Sequence, residues 1–282
     1  MNESRGLRKA IIPYIYVTPA FLLILLLIAY PIVTSIQLSF QDSTTSHFTI
    51  ANYQYFLTNK IQLFNIGYTL FVSIATVLLS LILGFILALY IRFNQNKISK
   101  AVVALTVLPQ FIPGLVAVYS FMMVVRNGGV LSRIALKFGI QYNPNMLYAA
   151  KGLISMNLWF NIPFATLLLL ASLSSIKDAS IESARDIGAK KMTLLKDIIL
   201  PSTYKQIFIA GAFVFMSNVG AFTTPFLMGA NNPQMLGVVL YREFNENMNY
   251  NQAAALSVIL FLLCSLSAVV YIIVNMRKEK WR

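Results

Sequence analysis

The sequence predicts an all-α polytopic membrane protein with six transmembrane helices, and three observations carry that prediction. Of 282 residues, 58% are apolar and only 11% charged, whereas a soluble domain carries about 25% charged residues. With mean hydropathy at +0.71, polar side chains are too few to clothe a water-facing globule of this size. Charge is absent from six stretches, 10–41, 61–91, 101–125, 152–176, 206–241 and 247–276. Each exceeds the ~20 residues a helix needs to cross a bilayer. Within them the apolar runs are continuous (21–29, 76–90 and 253–274, polar only at a few positions). This fits helices, which satisfy their backbone hydrogen bonds internally in lipid, and not the short alternating segments of a β-barrel. With 13 Gly, 10 Pro and Cys264 as the sole cysteine, collagenous and disulfide-stapled folds are excluded.

Taken in order, the first helix is expected at 12–38. It follows the basic residues Arg5, Arg8 and Lys9 and carries Tyr14 and Tyr16 near its start, where aromatic rings favour the interface. Its apolar region is too long for a cleaved signal peptide and no small-residue cleavage site follows, so it is expected to be retained. The remaining helices are expected at 64–91, 101–125, 149–171, 206–229 and 252–275. Helix breakers punctuate three of them: Pro109, Pro113 and Gly114 in the third, Pro163 in the fourth, and Gly211, Gly220, Pro225 and Gly229 in the fifth. Such breaks either kink helices for packing or line a cavity through which a solute passes. The amides Gln110, Asn157, Asn161 and Asn218, with Thr224, are the pore-lining candidates on the second view, because a buried amide needs partners or water. No span contains an acidic residue, which argues against a proton- or sodium-coupled secondary carrier.

Orientation follows from the 22 basic residues. The N-terminus, the loop of Arg92, Lys97 and Lys100, the loop from Lys177 to Lys205 and the C-terminus (Arg277, Lys278, Lys280, Arg282) hold 16 of them; the opposite side holds 6. The positive-inside rule then places both termini in the cytoplasm. The net charge of +13 is dispersed among loops, so it reads as topology and not as a nucleic-acid-binding face.

One loop, about 174–205, differs from everything else. It holds four of the nine acidic residues, Asp178, Glu182, Asp186 and Asp197, beside six bases. Ser175-x-x-Asp178 reads as a capping box, with Asp178 or Ser180 capping a helix that runs to about Ile187. Gly188 supplies the positive φ that ends it. A second short helix over 193–200 gathers Leu194, Leu195, Ile198 and Ile199 into an apolar stripe, with Lys196 and Asp197 outward and Pro201 closing it before the fifth span. The unit reads as an amphipathic elbow at the membrane face; from composition alone it is equally an interfacial anchor.

Here the residues carry a resemblance. Glu182-Ser183-Ala184-x-x-x-Gly188-x(9)-Ile198-x-Leu200-Pro201 resembles the EAA signature of permease subunits of binding-protein-dependent ATP-binding-cassette (ABC) importers, departing from it only in Ser183 for an alanine. The resemblance implies a type I importer (MetI-like) architecture in which residues 1–282 form one permease domain in the bacterial plasma (inner) membrane. It also implies that the loop is a coupling helix docked on an ATPase. Glu182 would make the principal contact, with Arg185 and Asp186 at its rim. Leu194 and Leu195 would hold the lever against the spans, and Ala189, Ile198, Leu200 and Pro201 would complete the unit. The implied partners are two copies of an ABC ATPase, a second and related permease, and an extracytoplasmic solute-binding protein. ATP and magnesium would be bound by the ATPase and no cofactor by this chain. Residues 220–229, with Ala253-Ala254-Ala255-Leu256-Ser257, are similar to permeases of the spermidine/putrescine branch. Branches for iron, phosphonates and sugars stay open, as does, less favourably, a secondary carrier. Trp159-x-x-Ile162-Pro163-Phe164 occurs across several branches and does not discriminate.

The chain has no G-x-x-x-x-G-K-[ST] loop and is not expected to be the ATPase. With His47 and Cys264 the sole histidine and cysteine, ligands for a His/Cys metal site are too few. His47 is expected to be solvated in an outer loop and Cys264 to pack within a span. An enzymatic role of the chain itself is not expected.

Overall fold

The computed structural model describes residues 14, 16–94 and 96–276. The basic residues at both ends of the chain and the first two positions of the expected first helix lie outside them. Among the described residues, six helical runs are long and apolar enough to cross a membrane: Tyr16–Ser39, Lys60–Phe93, Gly114–Lys137, Ala150–Ser174, Lys191–Val219 and Tyr250–Met276. The elements are numbered in chain order as α1 (Tyr16–Ser39), α2 (Ala51–Thr58), α3 (Lys60–Phe93), α4 (Lys97–Val107), α5 (Gly114–Val125), α6 (Val130–Lys137) and α7 (Ala150–Ser174). There follow α8 (Asp178–Asp186), α9 (Lys191–Val219), α10 (Thr223–Met228), α11 (Leu236–Tyr241) and α12 (Tyr250–Met276). Extended structure among the described residues is confined to the isolated bridge between Gln41 and Phe48.

The breakers act where their chemistry dictates, and this corrects two expected spans. The stretch 101–125 is not one helix. Pro109 lacks the N–H that would continue α4, so the chain tightens into a 3-10 turn at Leu108–Phe111 and restarts only after Pro113, at Gly114. The third apolar run is therefore Gly114–Lys137, itself turned at 126–129 between α5 and α6. Residues 206–229 likewise divide, α9 ending at Val219 before Gly220 and α10 restarting at Thr223. The expected stop at Pro201 is absent. Lys191–Val219 runs as one helix because the turns at Leu194–Ile199 widen to π geometry and place Pro201 in the first turn of the regular helix that follows, where a missing N–H costs little. Pro163 does not interrupt α7.

By backbone packing the chain divides into two compact units. The larger comprises Lys60–Val239 and the described residues from Leu260 onward. Its centre is the packing of α3 on α7, with α9 against both. The buried positions of α3 are Gln62, Asn65, Thr69, Val72, Ser73, Thr76, Ser80, Gly84 and Ala88, a stripe at helical spacing with no side chain larger than valine from position 72 onward. In lipid the hydrophobic effect does not drive helices together, so close approach over small residues supplies the attraction instead. Gly84 marks the tightest point: a Cβ there would lie 3.0 Å from the Ala165 Cβ and 3.1 Å from the Thr166 backbone nitrogen. One apolar cluster joins Val72 of α3 to Val118 and Val125 of α5, Leu153 and Met156 of α7, and Met228 and Met235. A second, about 24 Å away along α3, joins Ala88 to Leu169 and Leu173 of α7 and Ile199 of α9. At the start of α3, Gln234 N–H donates to Asn65 Oδ1 at 2.8 Å and Leu236 N–H to Thr69 Oγ1 at 2.9 Å, which pins the segment before α11 to the same stripe.

The smaller unit comprises the described residues up to Asn59 and Leu240–Ile259. A polar network ties its segments together. Asn52 Nδ2 donates to the carbonyls of Ser39 and Gln41, and Asn251 Nδ2 to those of Leu38 and Gln41, so two amides satisfy the carbonyls at the end of α1. Beyond it, Asp42 accepts from the backbone N–H and hydroxyl groups of Thr44 and Thr45, which hold its carboxyl well below the usual carboxylate range. His47 is exposed, as expected.

Gly84→Leu is expected to force α3 from α7 at a cost of about 1–3 kcal/mol, read as a lower thermal midpoint of the purified protein in detergent. Gly67→Leu, with open space around its α-carbon, is the control expected to leave that midpoint unchanged.

Candidate functional site

The elbow begins where α7 ends. Residues 175–177 carry the chain out of α7 and α8 starts at Asp178. The expected capping box does not form. Ser175 Oγ donates back to the Ser172 carbonyl at 2.7 Å, and α8 has no side-chain cap on its first turn. The acid of the motif has another partner: Asp178 pairs with Arg92 from the end of α3. The same guanidinium donates through Nε to the Leu173 carbonyl at 3.2 Å and through Nη2 to the Ile176 carbonyl at 3.1 Å. Arg92 thus satisfies carbonyls at the negative end of α7 while facing an acid at the positive end of α8.

At its other end α8 closes as the sequence predicts. Gly188 adopts φ +86°, its N–H donates to the Arg185 carbonyl at 2.8 Å, and Ala189 N–H donates to the Ala184 carbonyl at 3.0 Å. These two bonds form a Schellman closure, which requires a left-handed residue at the glycine position. Around the nine residues of α8, Ile181 alone is buried and Ala184 half-buried. Glu182, Ser183, Arg185 and Asp186 are exposed, and Ile187, beside the glycine, is 86% exposed. The returning strut is anchored as expected. Leu194 and Ile199 are buried, Leu195 packs against the Ala88–Leu169–Leu173 cluster, and Lys196 and Asp197 point outward. Ile198 is half-buried, while Leu200 and Pro201 are exposed. The result is a short helix, fixed at both ends, that presents a charged face free of other described elements.

The pore candidates separate into two groups. Asn161 and Asn218 are linked through Ser217 where α7 meets α9: Ser217 Oγ lies 3.2 Å from Asn161 Oδ1, and Asn218 Nδ2 donates to Ser217 Oγ at 3.3 Å; Asn157, one turn earlier on α7, contributes its carbonyl, which accepts from Asn161 Nδ2 at 2.7 Å. Asn157 Nδ2 is buried and finds no acceptor within the described chain. Gln110, exposed in the 3-10 turn, and Thr224, buried in α10, share no described hydrogen bond with this crossing. A cleft of about 310 Å³ opens between α3, α4 and α7, lined among others by Leu87, Val102, Thr106, Pro109, Trp159 and Pro163. Its walls are almost wholly apolar and offer a hydrophilic solute little to bind. Among the described residues, no three His, Cys, Asp or Glu side chains gather as metal ligands.

Two participants escaped the sequence reading. Arg92 counts there only as a loop charge, and its signal, a lone arginine at the end of a long apolar run, is not specific. Ser217 is a small hydroxyl beside a noticed amide.

A family model described as "Binding-protein-dependent transport system inner membrane component" matches residues 80–280, more than half of the chain. The chain belongs to this family. As a member of it, the protein is a multi-pass membrane permease component of a transport system, with the MetI-like fold of type I ABC importers. The spermidine/putrescine transport system permease protein PotB of Escherichia coli is 24% identical over 225 residues, covering 79% of this chain and 82% of the relative. The trehalose transport system permease protein SugA of Mycobacterium tuberculosis is 26% identical over 269 residues, covering 92% and 87%. Among solved structures, a chain of a bacterial ABC transporter involved in import of the acidic polysaccharide alginate superposes with a TM-score of 0.82 at 19% identity over 98% of this chain and 97% of that one. A chain of the MetNI methionine ABC transporter superposes at 0.54, with 19% identity over 77% and 98%. These two likenesses concern the fold.

Gly188→Ala in this permease is expected to destabilise the closure of α8 by about 1–2 kcal/mol. The check is hydrogen exchange at the Ala189 amide, which should accelerate about ten-fold while amides in the Ala88–Leu169 cluster keep their rates.

Proposed function

We propose that this permease forms half of the translocation pathway of an ATP-driven importer for polyamines, and that residues 178–201 couple it to the motor. The observation that carries the coupling assignment is the elbow itself: a nine-residue helix closed at Gly188 and exposing Glu182, Arg185 and Asp186. A lever that transmits force to a separate soluble protein must be stiff where it leaves the membrane and polar where it docks. In this reading Glu182 contacts an ABC ATPase, two copies of which bind ATP and magnesium below a pair of related permeases. The elbow, and with it both termini, faces the cytoplasm, in agreement with the distribution of basic residues. A solute-binding protein delivers cargo from the opposite side. Where α7 meets α9, the half-buried Asn161 and the exposed Ser217 offer the solute neutral hydrogen-bonding groups, backed by the buried Asn157 and Asn218.

The polyamine assignment is supported by the similarity of residues 220–229 and 253–257 to the spermidine/putrescine branch and by the PotB relatives. A second reading, a sugar, is favoured by the SugA relative, whose match spans more of the chain. In vesicles holding the complete system and its binding protein, radiolabelled spermidine or putrescine is expected to accumulate with ATP, and trehalose not to. Accumulation of trehalose alone would reverse the assignment.

For the coupling assignment, Glu182→Lys and Gly188→Pro are expected to leave insertion intact and abolish ATP-driven uptake. Solute-stimulated ATP hydrolysis at the parental rate in both variants would contradict it. Asn161→Leu is expected to lower uptake several-fold while the elbow still docks, measured by recovery of the ATPase with the purified permease.

A further inference from the structure

The elbow joins α7 through residues 175–177, which belong to neither helix. A nine-residue helix with one buried side chain has little intrinsic stability, since isolated helices below about 12 residues are marginal in water. Pulled at its exposed face, such a helix would swing about this junction, and the displacement would be lost before it reached the spans. Arg92 stands astride that hinge. Its guanidinium holds Leu173 in the last turn of α7, Ile176 within the junction, and Asp178 at the first position of α8. The three partners thus lie on one side of the hinge, within it and on the other side. Arg92 itself is held by the α3–α7 seam, its side chain being 12% exposed against 70% for Asp178. Charge-assisted bonds from a planar fork suit this task, because one rigid group fixes several acceptors relative to each other.

We propose that Arg92 is a positioning residue for coupling: it locks the α7–α8 hinge so that movement of the elbow turns α3 and α7 instead of bending residues 175–177. This rests on the elbow being the force-transmitting element. Arg92 does not touch the motor or the solute; it acts through α8. Lysine does not replace it, since its one nitrogen lacks the second donor atom, Nε, that reaches Leu173 while Nη2 serves Ile176 and Asp178.

The test uses the complete transporter in lipid vesicles and reads solute moved per ATP hydrolysed, alongside hydrogen exchange over residues 178–189. Arg92→Ala is expected to lower that ratio about five-fold or more and to accelerate exchange in α8 about ten-fold. Arg92→Lys should recover less than half of the loss in either readout. Asp178→Asn, which keeps both carbonyl bonds and a neutral acceptor, should have the mildest effect and keeps the test usable if Arg92→Ala does not assemble. The proposal is overturned if Arg92→Ala keeps the parental ratio while Glu182→Lys abolishes uptake; in that case the elbow reading survives without the clamp. Faster exchange with an unchanged ratio also overturns it, since Arg92 would then be merely structural. Parental uptake in Glu182→Lys would instead remove the elbow reading beneath the proposal.

Discussion

The close approach of α3 and α7 is the constraint from which the rest of the larger unit follows. Two helices in lipid gain nothing by hiding leucines from water, because the surrounding tails are as apolar as the side chains. They gain by bringing backbones near enough for dense dispersion contact, and this is what the stripe from Val72 through Ser73, Thr76, Ser80 and Gly84 to Ala88 permits. The hydroxyls of Thr69 and Thr76 return to carbonyls four residues earlier, at Asn65 and Val72, so the stripe buries oxygen without leaving these two unpaired. Once the seam is set, its two ends are defined. One receives the segment before α11 through Asn65 and Thr69; the other carries Arg92 to the start of the elbow. Both ends therefore report to the same rigid pair of helices.

Four of the six membrane runs were legible in the sequence because lipid imposes one strong rule, the exclusion of charge over about 20 residues; the third and fifth, Gly114–Lys137 and Lys191–Val219, include charged residues such as Arg126 and Asp197 and are displaced from the clean stretches. What that rule does not contain is where a helix breaks. Pro109 ends the regular helix and Pro113 stands just before the restart at Gly114, whereas Pro163 and Pro201, flagged or assigned by the same chemistry, do not interrupt theirs. At Pro201 the difference lies in the preceding turn, where π geometry at Leu194–Ile199 accommodates the ring. No local pattern announces such a π turn. The elbow divides in the same way. Gly188 was readable because a Schellman closure has a local chemical requirement that glycine meets. The start of α8 was misread because Ser175 and Asp178 satisfy a capping pattern but find better partners, Ser172 for the one and Arg92, 86 positions away, for the other. Spacing rules describe competition among neighbours and cannot register a competitor delivered by the fold.

That competition also explains why α8 dispenses with a side-chain cap. A cap satisfies donors within one helix, whereas Asp178 used as an ion-pair partner ties the first turn of α8 to α3 and to the end of α7. The exchange favours orientation over intrinsic helix stability, and the Gly188 closure offsets the loss at the other end. A helix stabilised mainly by its own caps keeps its shape but not its direction. One fixed by a long-range arginine at its start and by Leu194, Leu195 and Ile199 on its return strut keeps both.

The same preference for fixed geometry without strong local binding extends to the crossing of α7 and α9. Its amides are neutral, and no acid lies in α7 or in α9 beyond Asp197. A carboxylate buried at that depth would need a counter-charge and would hold a cationic solute too firmly for release; conduction requires sites favourable enough to enter and weak enough to leave. On the proposed reading, Asn161 and Ser217, paired across α7 and α9 and reachable from outside the chain, supply that weak contact. Discrimination among solutes is then delegated to a receptor outside the membrane. On that reading, a change of receptor changes the cargo while the seam and the elbow are kept, in keeping with relatives named for a polyamine and for a sugar at similar identity.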